Sequence, residues 1–268
     1  MDFEKLLVGV QAAVSRAGDE ILKIYADPEL FDTEHKADDS PLTAADLAAN
    51  RVLVAALTEL TPNIPILSEE SAQAPWSERQ HWTACWVVDP LDGTKEFLKR
   101  NDEFTVNVGL VVDHEPVLGV VFAPALKKWY YGAQGQGAWM KLGDAEPQAI
   151  SAAKHSGERP WRVVGSRSHQ SPEMAGFLER LGETEMVAMG SSLKLCLVAS
   201  GEADLYPRLG PTSEWDTCAA HAVVNVAGGQ VLNRENGQPL TYNARESILN
   251  PHFIVCTEPN PDWFEPAG

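Results

Sequence analysis

The chain has 268 residues, 44% of them hydrophobic, so it can bury a sizeable core as one large domain or two smaller ones. Its formal net charge is −17, and a surface of that sign repels nucleic acid polymers and anionic lipid. Charge therefore excludes these two classes of partner, and an anionic substrate would need positive charge inside its own binding site. Bound metal ions would supply such charge.

The cysteines and the apolar runs indicate the compartment. The four cysteines form no CxxC pair and are predicted to be reduced core residues, at positions Cys85, Cys196, Cys218 and Cys256. No apolar run is long enough to span a bilayer, and the first residues lack the basic and apolar regions of a secretory signal. We therefore expect a cytoplasmic protein without an integral membrane segment.

Two predicted helices open the chain. Apolar residues recur at helical spacing from Phe3 to Tyr25, and a second helix is expected to end near Leu60. Thr43 and Asp46 fit a capping box at the start of that second helix, in which each side chain binds the backbone N–H of the other residue. By itself, the capping box explains both residues without a functional role.

A short apolar strand, predicted from Pro65 onward, ends in the adjacent acids Glu69 and Glu70. Because side chains alternate along a strand, only one acid of the pair need face a site. Adjacent carboxylates at a strand end are often just solvated. The residues alone leave both interpretations open.

The segment 86–97, WVVDPLDGTKEF, carries the strongest chemical signal. Its apolar start predicts a buried strand that ends at Asp89, where Pro90 stops the ladder and a Gly-Thr pair at 93–94 opens a helix. Asp89 and Asp92 lie three residues apart at this junction, which suits a hard divalent cation, and the helix start suits a phosphate. A turn with solvated acids is the alternative, since Asp, Pro and Gly are common turn residues.

The next residues predict an antiparallel meander. Four β-rich runs are joined by connections too short for parallel crossovers, and they are Thr105–Val112, Val117–Phe122, Lys128–Gly132 and Ala138–Leu142. With the two helices they form an α+β N-terminal half, residues 1–150. Thr105 and Asn107 are interpreted as sheet interior and not as part of a site.

A polar stretch rich in glycine and proline, residues 143–160, predicts a boundary. In the second half, residues 151–268, strands and helices alternate, and the predicted elements are Trp161–Val164, Pro172–Leu181, Glu185–Met189, Ser192–Ser200, Asp204–Tyr206, Glu214–Val226, Gly229–Leu232 and Phe253–Cys256. This alternation predicts a mixed or parallel sheet with helices on its faces.

Two helix starts in the second half carry candidate polar groups. Asp216 begins a mostly apolar helix, although a lone acid there is also favoured by the helix dipole. The segment 190–194, GSSLK, combines two hydroxyls, free N–H groups and one cation, which suits a phosphate. A serine N-cap with a surface lysine is the alternative for that segment.

Two of these segments, the hexapeptide Asp89–Thr94 and the pair Trp215-Asp216, resemble the two signatures of the inositol monophosphatase superfamily of Mg²⁺-dependent, lithium-sensitive phosphatases. The resemblance covers about residues 5–258. Within the superfamily it is closest to the bacterial 3′(2′),5′-bisphosphate nucleotidases, through segments 39–46, 67–70, 95–97, 99–101, 103–107, 166–169, 190–194 and 206–208. It implies a layered α/β/α/β/α fold, with an antiparallel sheet and helices in the N-terminal half, a mixed sheet and helices in the C-terminal half, and the site between them.

The resemblance implies a metal site built from oxygen ligands. Two or three Mg²⁺ ions would be held by four carboxylates and one carbonyl, those of Glu69, Asp89, Asp92, Asp216 and Leu91. The catalytic residues would be Asp46, Thr94 and Glu69: Asp46 would act through a water, and Thr94, paired with Asp46, would orient the attacking water and accept its proton. Carboxylates packed this closely repel one another without cations, so we expect metal dependence.

The implied reaction is hydrolysis of the 3′-phosphate of adenosine 3′,5′-bisphosphate to AMP and phosphate, a recycling step in sulfur assimilation. The N–H groups of Gly93 and Thr94 would hold the phosphate being cleaved. Ser191, Lys194 and Arg208 would hold the second phosphate, with His169 near the nucleotide. The residues expected to touch the substrate are Glu69, Leu91, Asp92, Gly93, Thr94, His169, Ser191, Lys194, Arg208 and Asp216.

Other interpretations stay open. Inositol monophosphatase and sugar bisphosphatase share the metal chemistry, and a non-catalytic metal- or nucleotide-binding sensor belongs to a different class. The expected partner is a small phosphorylated nucleotide, and the sequence does not decide between a monomer and a homodimer. Some members of the resembled family associate with the cytoplasmic side of the inner membrane, which the charge of −17 disfavours here.

Overall fold

The computed structural model describes residues 1–31, 34–35, 41–165 and 171–264. The helices in these ranges are α1 (Phe3–Tyr25), α2 (Ala44–Leu60), α3 (Trp76–Arg79), α4 (Thr94–Lys99), α5 (Pro172–Leu181), α6 (Leu193–Ala199) and α7 (Cys218–Val226). The predicted bounds of α1 and α5 are confirmed at both ends. The predicted segment 166–169, with His169, and residues Asp39 and Ser40 lie outside the described residues.

The strands in the same ranges are β1 (Glu34–His35), β2 (Pro41–Leu42), β3 (Ile66–Ser68), β4 (Ala84–Asp92), β5 (Thr105–Val112), β6 (Glu115–Ala123), β7 (Lys128–Ala133), β8 (Gly137–Leu142), β9 (Gln148–Ala149), β10 (Trp161–Gly165), β11 (Thr184–Ala188), β12 (Tyr206–Arg208), β13 (Gln230–Asn233) and β14 (Phe253–Cys256). The largest sheet runs β3-β4-β5-β6-β7-β8-β9. Its first pair is parallel and every later pair is antiparallel, which confirms the predicted meander.

Helices α1 and α2 cover one face of the seven-stranded sheet. Val10 and Ile21 of α1 share one apolar cluster with Leu53 of α2, as the helical spacing predicts. At the start of α1 the Lys5 N–H donates to the Asp2 carboxylate at 3.1 Å and caps the helix. Because helix stability in proteins comes mainly from burial of an apolar face, this cluster holds the helix pair on the sheet.

Strand β4 is buried on both faces because its side chains alternate. Trp86 and Val88 join the cluster under α1 and α2, whereas Cys85 and Val87 join a second cluster that includes residues of α6 and α7. The end of β4, where the predicted acids lie, is therefore placed between two layers of helices. All four cysteines lie within the described ranges as buried free thiols, as predicted.

Helix α7 lies directly on the backbones of β5 and β6. A Cβ at Gly109 would come within 2.6 Å of the Cys218 sulfur, and a Cβ at Gly119 within 1.9 Å of the Ala219 carbonyl oxygen. Both strands carry glycine where the helix crosses them, and this permits the close approach. The approach fixes the position of Asp216, which lies just before the first residue of α7.

We expect Gly119→Ala to destabilise the fold by about 1–3 kcal/mol or more, the usual cost of overpacking, because the added methyl group meets backbone atoms that cannot rotate away. Chemical denaturation would show this as a lower midpoint at an unchanged m-value. The matched control is Gly176→Ala in α5, where a Cβ meets nothing within 4 Å. A midpoint for Gly119→Ala equal to that of the control would contradict the close approach.

The described residues of the second half form two small sheets, where one was predicted. Strands β10 and β11 are parallel, whereas β12, β14 and β13 form an antiparallel sheet, so the predicted mixture of strand directions is confirmed. The predicted helix Glu214–Val226 is wrong as one element. It is divided at Thr217, whose φ of −123° departs from helical geometry, into a 3₁₀ turn, Glu214–Asp216, and α7. The strand predicted at Asp204–Tyr206 lies two residues later, as β12.

The predicted boundary stretch, residues 143–160, contacts both halves of the chain. Strand β9 still pairs with β8, and the Ala152 N–H then donates to the Ala227 carbonyl at 2.9 Å in the second half. A division at residue 150 stays a prediction. Within the described ranges, every helix is too short or too polar to cross a lipid bilayer.

Candidate active site

The parallel pairing of β3 with β4 brings the first two acids together. Ser68 pairs with Val88, so Glu69 follows beside Asp89, and the Glu69 N–H donates to the Val88 carbonyl at 3.1 Å. The prediction that the strand ends at Asp89 is wrong. β4 continues to Asp92 through an irregularity in its pairing with β5, and such bulges commonly redirect side chains beside active sites.

Asp216 reaches the same place from the other half of the chain. It ends the 3₁₀ turn, where the Ser213 N–H donates to its Oδ2 at 2.8 Å, so the alternative role as a helix-start acid is also realised. One carboxylate oxygen from each of Glu69, Asp89 and Asp216 lies within 4.8 Å of the other two. We call these three residues the acidic cluster. Its oxygen-only donor set suits a hard divalent cation.

The acidic cluster is unfavourable in its fully ionised form. Asp89 is 1% exposed, and burial, followed by the negative charges of Glu69, Asp92 and Asp216, raises its pKa well above the ordinary carboxyl value. Burial, and then the charges of Asp92 and Glu69, raise the pKa of Asp216 to about 7. A divalent cation among these carboxylates would reverse both effects.

Asp46 is buried in the first turn of α2, where its two carboxylate oxygens have different partners. Oδ2 accepts from the N–H and the hydroxyl of Thr43 at 2.8 and 2.6 Å, which confirms the predicted capping box. Oδ1 accepts from the Thr94 hydroxyl at 3.2 Å. The cap and the proposed catalytic role are therefore compatible, because the cap fixes the carboxylate that contacts Thr94.

Asp92 lies outside the acidic cluster and connects the two halves of the chain. Its Oδ2 accepts from the Ser191 hydroxyl at 2.7 Å and from the Ser192 N–H at 2.6 Å. Ser191 has a φ of 54°, in the left-handed region that few residues other than glycine adopt. Backbone strain of this kind clusters at functional sites, where surrounding contacts hold it in place.

Thr105 and Asn107, interpreted from the sequence as sheet interior, are buried but also support this contact. The Thr105 hydroxyl lies 2.5 Å from the Ser191 hydroxyl, and the Ser192 hydroxyl donates to Asn107 Oδ1 at 2.8 Å. Asn107 pairs with Asp89 across the sheet, and its Nδ2 has no hydrogen-bond partner among the described residues. The sequence did contain a signal for this supporting role: two polar residues stand at alternate positions of a buried strand. Buried polar groups need hydrogen-bond partners, so these two should contact other polar groups.

Gly93 and Thr94 form the turn after the acids. Gly93 has φ 90° and ψ 41°, a left-handed conformation that favours glycine, and a Cβ there would lie 3.3 Å from the Glu103 carbonyl oxygen. Thr94 opens α4, as predicted. Its hydroxyl lies 3.4 Å from the Leu91 carbonyl oxygen, so that carbonyl faces the same turn.

A cleft of about 140 Å³ connects residues of both halves. Its lining includes six predicted site residues, Asp92, Gly93, Ser191, Lys194, Arg208 and Asp216. Lys194 Nζ donates to the Ser191 carbonyl at 3.2 Å, and an Arg208 N–H donates to the Pro211 carbonyl at 2.8 Å. Two cations therefore lie beside the acids, as the predicted phosphate subsite requires, whereas His169 is outside the described residues.

Comparison with known proteins gives consistent matches over most of the chain. The chain is 51% identical to the 3′(2′),5′-bisphosphate nucleotidase CysQ of Salmonella typhimurium over 239 residues, 89% of this chain and 94% of that protein. The crystal structure of CysQ from Bacteroides thetaiotaomicron matches with a TM-score of 0.85 and 41% identity, over 96% of this chain and 99% of that one. An inositol monophosphatase from Anabaena matches with a TM-score of 0.75 and 25% identity, over 96% and 92%.

The family match extends across both halves of the chain. Residues 2–258 match the inositol monophosphatase family, which agrees with the range of the resemblance seen in the sequence. The layered arrangement of helices and sheets also agrees with the solved structures. The chain therefore belongs to the inositol monophosphatase family.

Proposed function

We propose that this protein is a Mg²⁺-dependent phosphatase that hydrolyses the 3′-phosphate of adenosine 3′,5′-bisphosphate to AMP and phosphate. The observation that carries the proposal is the acidic cluster, three carboxylate oxygens within 4.8 Å of one another, beside the Thr94–Asp46 hydrogen bond. The identity of the substrate is supported by the 51% identity to a 3′(2′),5′-bisphosphate nucleotidase. Inositol monophosphatase, sugar bisphosphatase and a non-catalytic sensor are the alternatives.

The residues of the site fit Mg²⁺ because they are oxygen donors, and burial and the neighbouring carboxylates raise the pKa values of two of them, Asp89 and Asp216. We expect two or three ions to be held by the acidic cluster together with Asp92 and the Leu91 carbonyl. Asp92 would bind through Oδ1, since its Oδ2 accepts from Ser191 and Ser192. When bound, Mg²⁺ would supply the charge that activates a water and stabilises the leaving oxygen.

The Thr94–Asp46 pair would accept the proton of the attacking water. The Thr94 hydroxyl donates to Asp46 Oδ1, so its oxygen keeps lone pairs that can accept from a water. As that water attacks phosphorus and the bond from phosphorus to the 3′-oxygen breaks, the proton of the water would pass to the Thr94 oxygen and the Thr94 proton to Asp46. Thr43 holds the other oxygen of Asp46, so the carboxylate is already oriented for this transfer.

The phosphate being cleaved would bind the N–H groups of Gly93 and Thr94. The second phosphate would lie against Ser191, Lys194 and Arg208, which line the same cleft. Two cations at this position would favour a bisphosphate over a monophosphate.

Each half of the chain would contribute differently to the site. Residues 1–150 would supply most metal ligands, and residues 151–268 would supply Asp216 and the subsite for the second phosphate. We also place the protein in the cytoplasm, where its small phosphorylated nucleotide substrate would be formed.

We expect Lys194→Ala to lower kcat/KM on adenosine 3′,5′-bisphosphate by about 10- to 100-fold, the effect of removing one charged hydrogen bond. A substrate with one phosphate, inositol 1-phosphate, should be affected much less, because it does not reach the second subsite. Phosphate release from both substrates measures the difference. The matched control is Lys154→Ala, which removes a lysine paired with Glu258 on the surface. Equal losses on both substrates would contradict the assignment of Lys194.

A further inference from the structure

Strand β5 carries two buried polar residues opposite two acids of β4. Thr105 pairs with Asp92 across the two strands, and Asn107 pairs with Asp89. Because side chains alternate along a strand, Thr105 and Asn107 point away from Val106, which packs in the cluster under α1 and α2. Their polar groups therefore face the second half of the chain, and buried polar groups need partners there.

The partners are Ser191 and Ser192, which directly precede α6. The Ser191 hydroxyl lies 2.5 Å from the Thr105 hydroxyl and donates to Asp92 Oδ2 at 2.7 Å. The Ser192 N–H donates to the same carboxylate oxygen at 2.6 Å, and the Ser192 hydroxyl lies 2.9 Å from that of Thr105. Ser191 therefore contacts both members of the cross-strand pair formed by Thr105 and Asp92.

The number of protons sets the direction of these hydrogen bonds. A serine hydroxyl has one proton and an ionised carboxylate can only accept, so the Ser191 proton is used in the bond to Asp92. In the 2.5 Å contact the Ser191 oxygen must then accept, and Thr105 donates. The result is a chain of two hydrogen bonds from Thr105 through Ser191 to Asp92. Hydrogen bonds in such a chain polarise and strengthen one another.

The backbone of Ser191 depends on these contacts. Its φ of 54° lies in the left-handed region, where a residue other than glycine is strained and stays only if its surroundings impose the conformation. The side-chain bonds with Thr105 and Asp92 join Ser191 to two neighbouring strands of the other half. Removing the Thr105 donor would loosen Ser191, and with it the hydrogen bonds to Asp92 Oδ2.

We propose that Thr105 is a positioning residue for the metal site. It would hold Ser191 against Oδ2 of Asp92 and so keep Oδ1 oriented for a cation. Groups that hydrogen-bond to metal ligands orient them in this way, and their loss commonly weakens metal binding. The inference rests on the proposed function in one respect, the role of Asp92 as a Mg²⁺ ligand.

The first measurement is NMR of the full-length protein in EDTA, which tests the hydrogen bonds without any metal. The Ser192 amide proton donates to a carboxylate oxygen, so its resonance should lie downfield. Thr105→Val keeps the shape of the side chain but removes the donor, and it should move this resonance upfield. Thr105→Ser keeps the hydroxyl and should leave the resonance close to its wild-type position.

The second measurement is calorimetric titration of the same proteins with Mg²⁺. Thr105→Val should lower the affinity for Mg²⁺ by about tenfold, and Thr105→Ser should restore it. The matched control is Thr61→Val, which removes a hydroxyl that accepts from Trp86 Nε1 at 2.7 Å. Thr61 follows the last residue of α2, about 20 Å along the helix from Asp46. It should lower Tm and leave both the Ser192 resonance and the Mg²⁺ affinity unchanged.

A further variant separates positioning from stability and also serves if Thr105→Val does not fold. Ser191→Gly removes the middle of the chain at a φ that suits glycine, so the fold should keep its Tm while Mg²⁺ affinity falls about tenfold. Substitutions that leave the Ser192 resonance unchanged, or move it without weakening Mg²⁺ binding, would overturn the positioning role alone. A wild-type protein that bound no Mg²⁺ would contradict the proposed function, and the positioning role with it.

Discussion

Thr94→Val is expected to lower kcat by about 10²–10⁴-fold, the usual contribution of a positioned proton acceptor, while Mg²⁺ binding is retained. The two side chains have nearly the same size, so the change removes the hydroxyl that donates to Asp46 Oδ1 at 3.2 Å and little else. No proposed metal ligand is itself replaced, and the one contact to a ligand that is lost is the 3.4 Å approach of the hydroxyl to the Leu91 carbonyl oxygen. Steady-state phosphate release gives kcat, and calorimetric titration with Mg²⁺ gives the affinity for the metal.

The conservative control is Thr94→Ser, which keeps the hydroxyl and should keep most of the activity. Asp46→Asn combined with Thr94→Val should cost about as much as either change alone, because residues that act as one unit are not additive. Wild-type kcat in Thr94→Val, or a parallel loss of Mg²⁺ affinity, would contradict the assignment of this pair to proton transfer.

Without Mg²⁺, the protein is expected to lose stability as the pH rises from about 4 to about 7. Asp216 has an ordinary carboxyl pKa of 3.8 when unfolded and a folded pKa of about 7. Between these values the folded chain binds more protons than the unfolded chain, so the free energy of unfolding falls as the pH rises, by about 1.4 kcal/mol per pKa unit. Asp89, whose pKa is also raised, acts in the same direction.

Thermal unfolding between pH 4 and pH 8, in EDTA and in excess Mg²⁺, would measure this effect. Mg²⁺ should raise Tm most at the highest pH, where the carboxylates are ionised. Asp216→Asn keeps an oxygen that can accept from the Ser213 N–H, so in EDTA at pH 8 it should be more stable than the wild type and should gain less from Mg²⁺. Glu214, whose pKa burial also raises to about 7, is present in both proteins and cancels in the comparison. Equal pH dependence of the two proteins would contradict the account of the acidic cluster.

The elements with strong local periodicity could be predicted from the sequence. Helix α1 and strand β5 have the bounds that their apolar spacing indicates, because each buries a continuous face. The acids of the site were also predictable, since Asp89 and Asp92 lie in one short segment and Trp215-Asp216 in another. The family resemblance implies that they meet in space. In the structure, the parallel register of β3 and β4 brings Glu69 beside Asp89, and the packing of α7 on β5 and β6 places Asp216.

The features that were not predicted depend on contacts between distant segments. The bulge that carries β4 past Asp89 is visible only in its pairing with β5. The hydrogen bond from Ser191 to Asp92 joins the two halves, and Thr105 becomes part of the site because Ser191 and Ser192 contact it. Local propensity gives no account of these contacts, since each partner has an ordinary structural role within its own segment.

The most direct test of the proposed function is phosphate release from adenosine 3′,5′-bisphosphate and from inositol 1-phosphate, each with and without Mg²⁺ and with added Li⁺. We expect Mg²⁺-dependent, Li⁺-inhibited release with a clear preference for the nucleotide. A preference for inositol 1-phosphate would keep the metal chemistry but contradict the subsite formed by Ser191, Lys194 and Arg208. Release from neither substrate, in the presence of Mg²⁺, would contradict the proposed reaction.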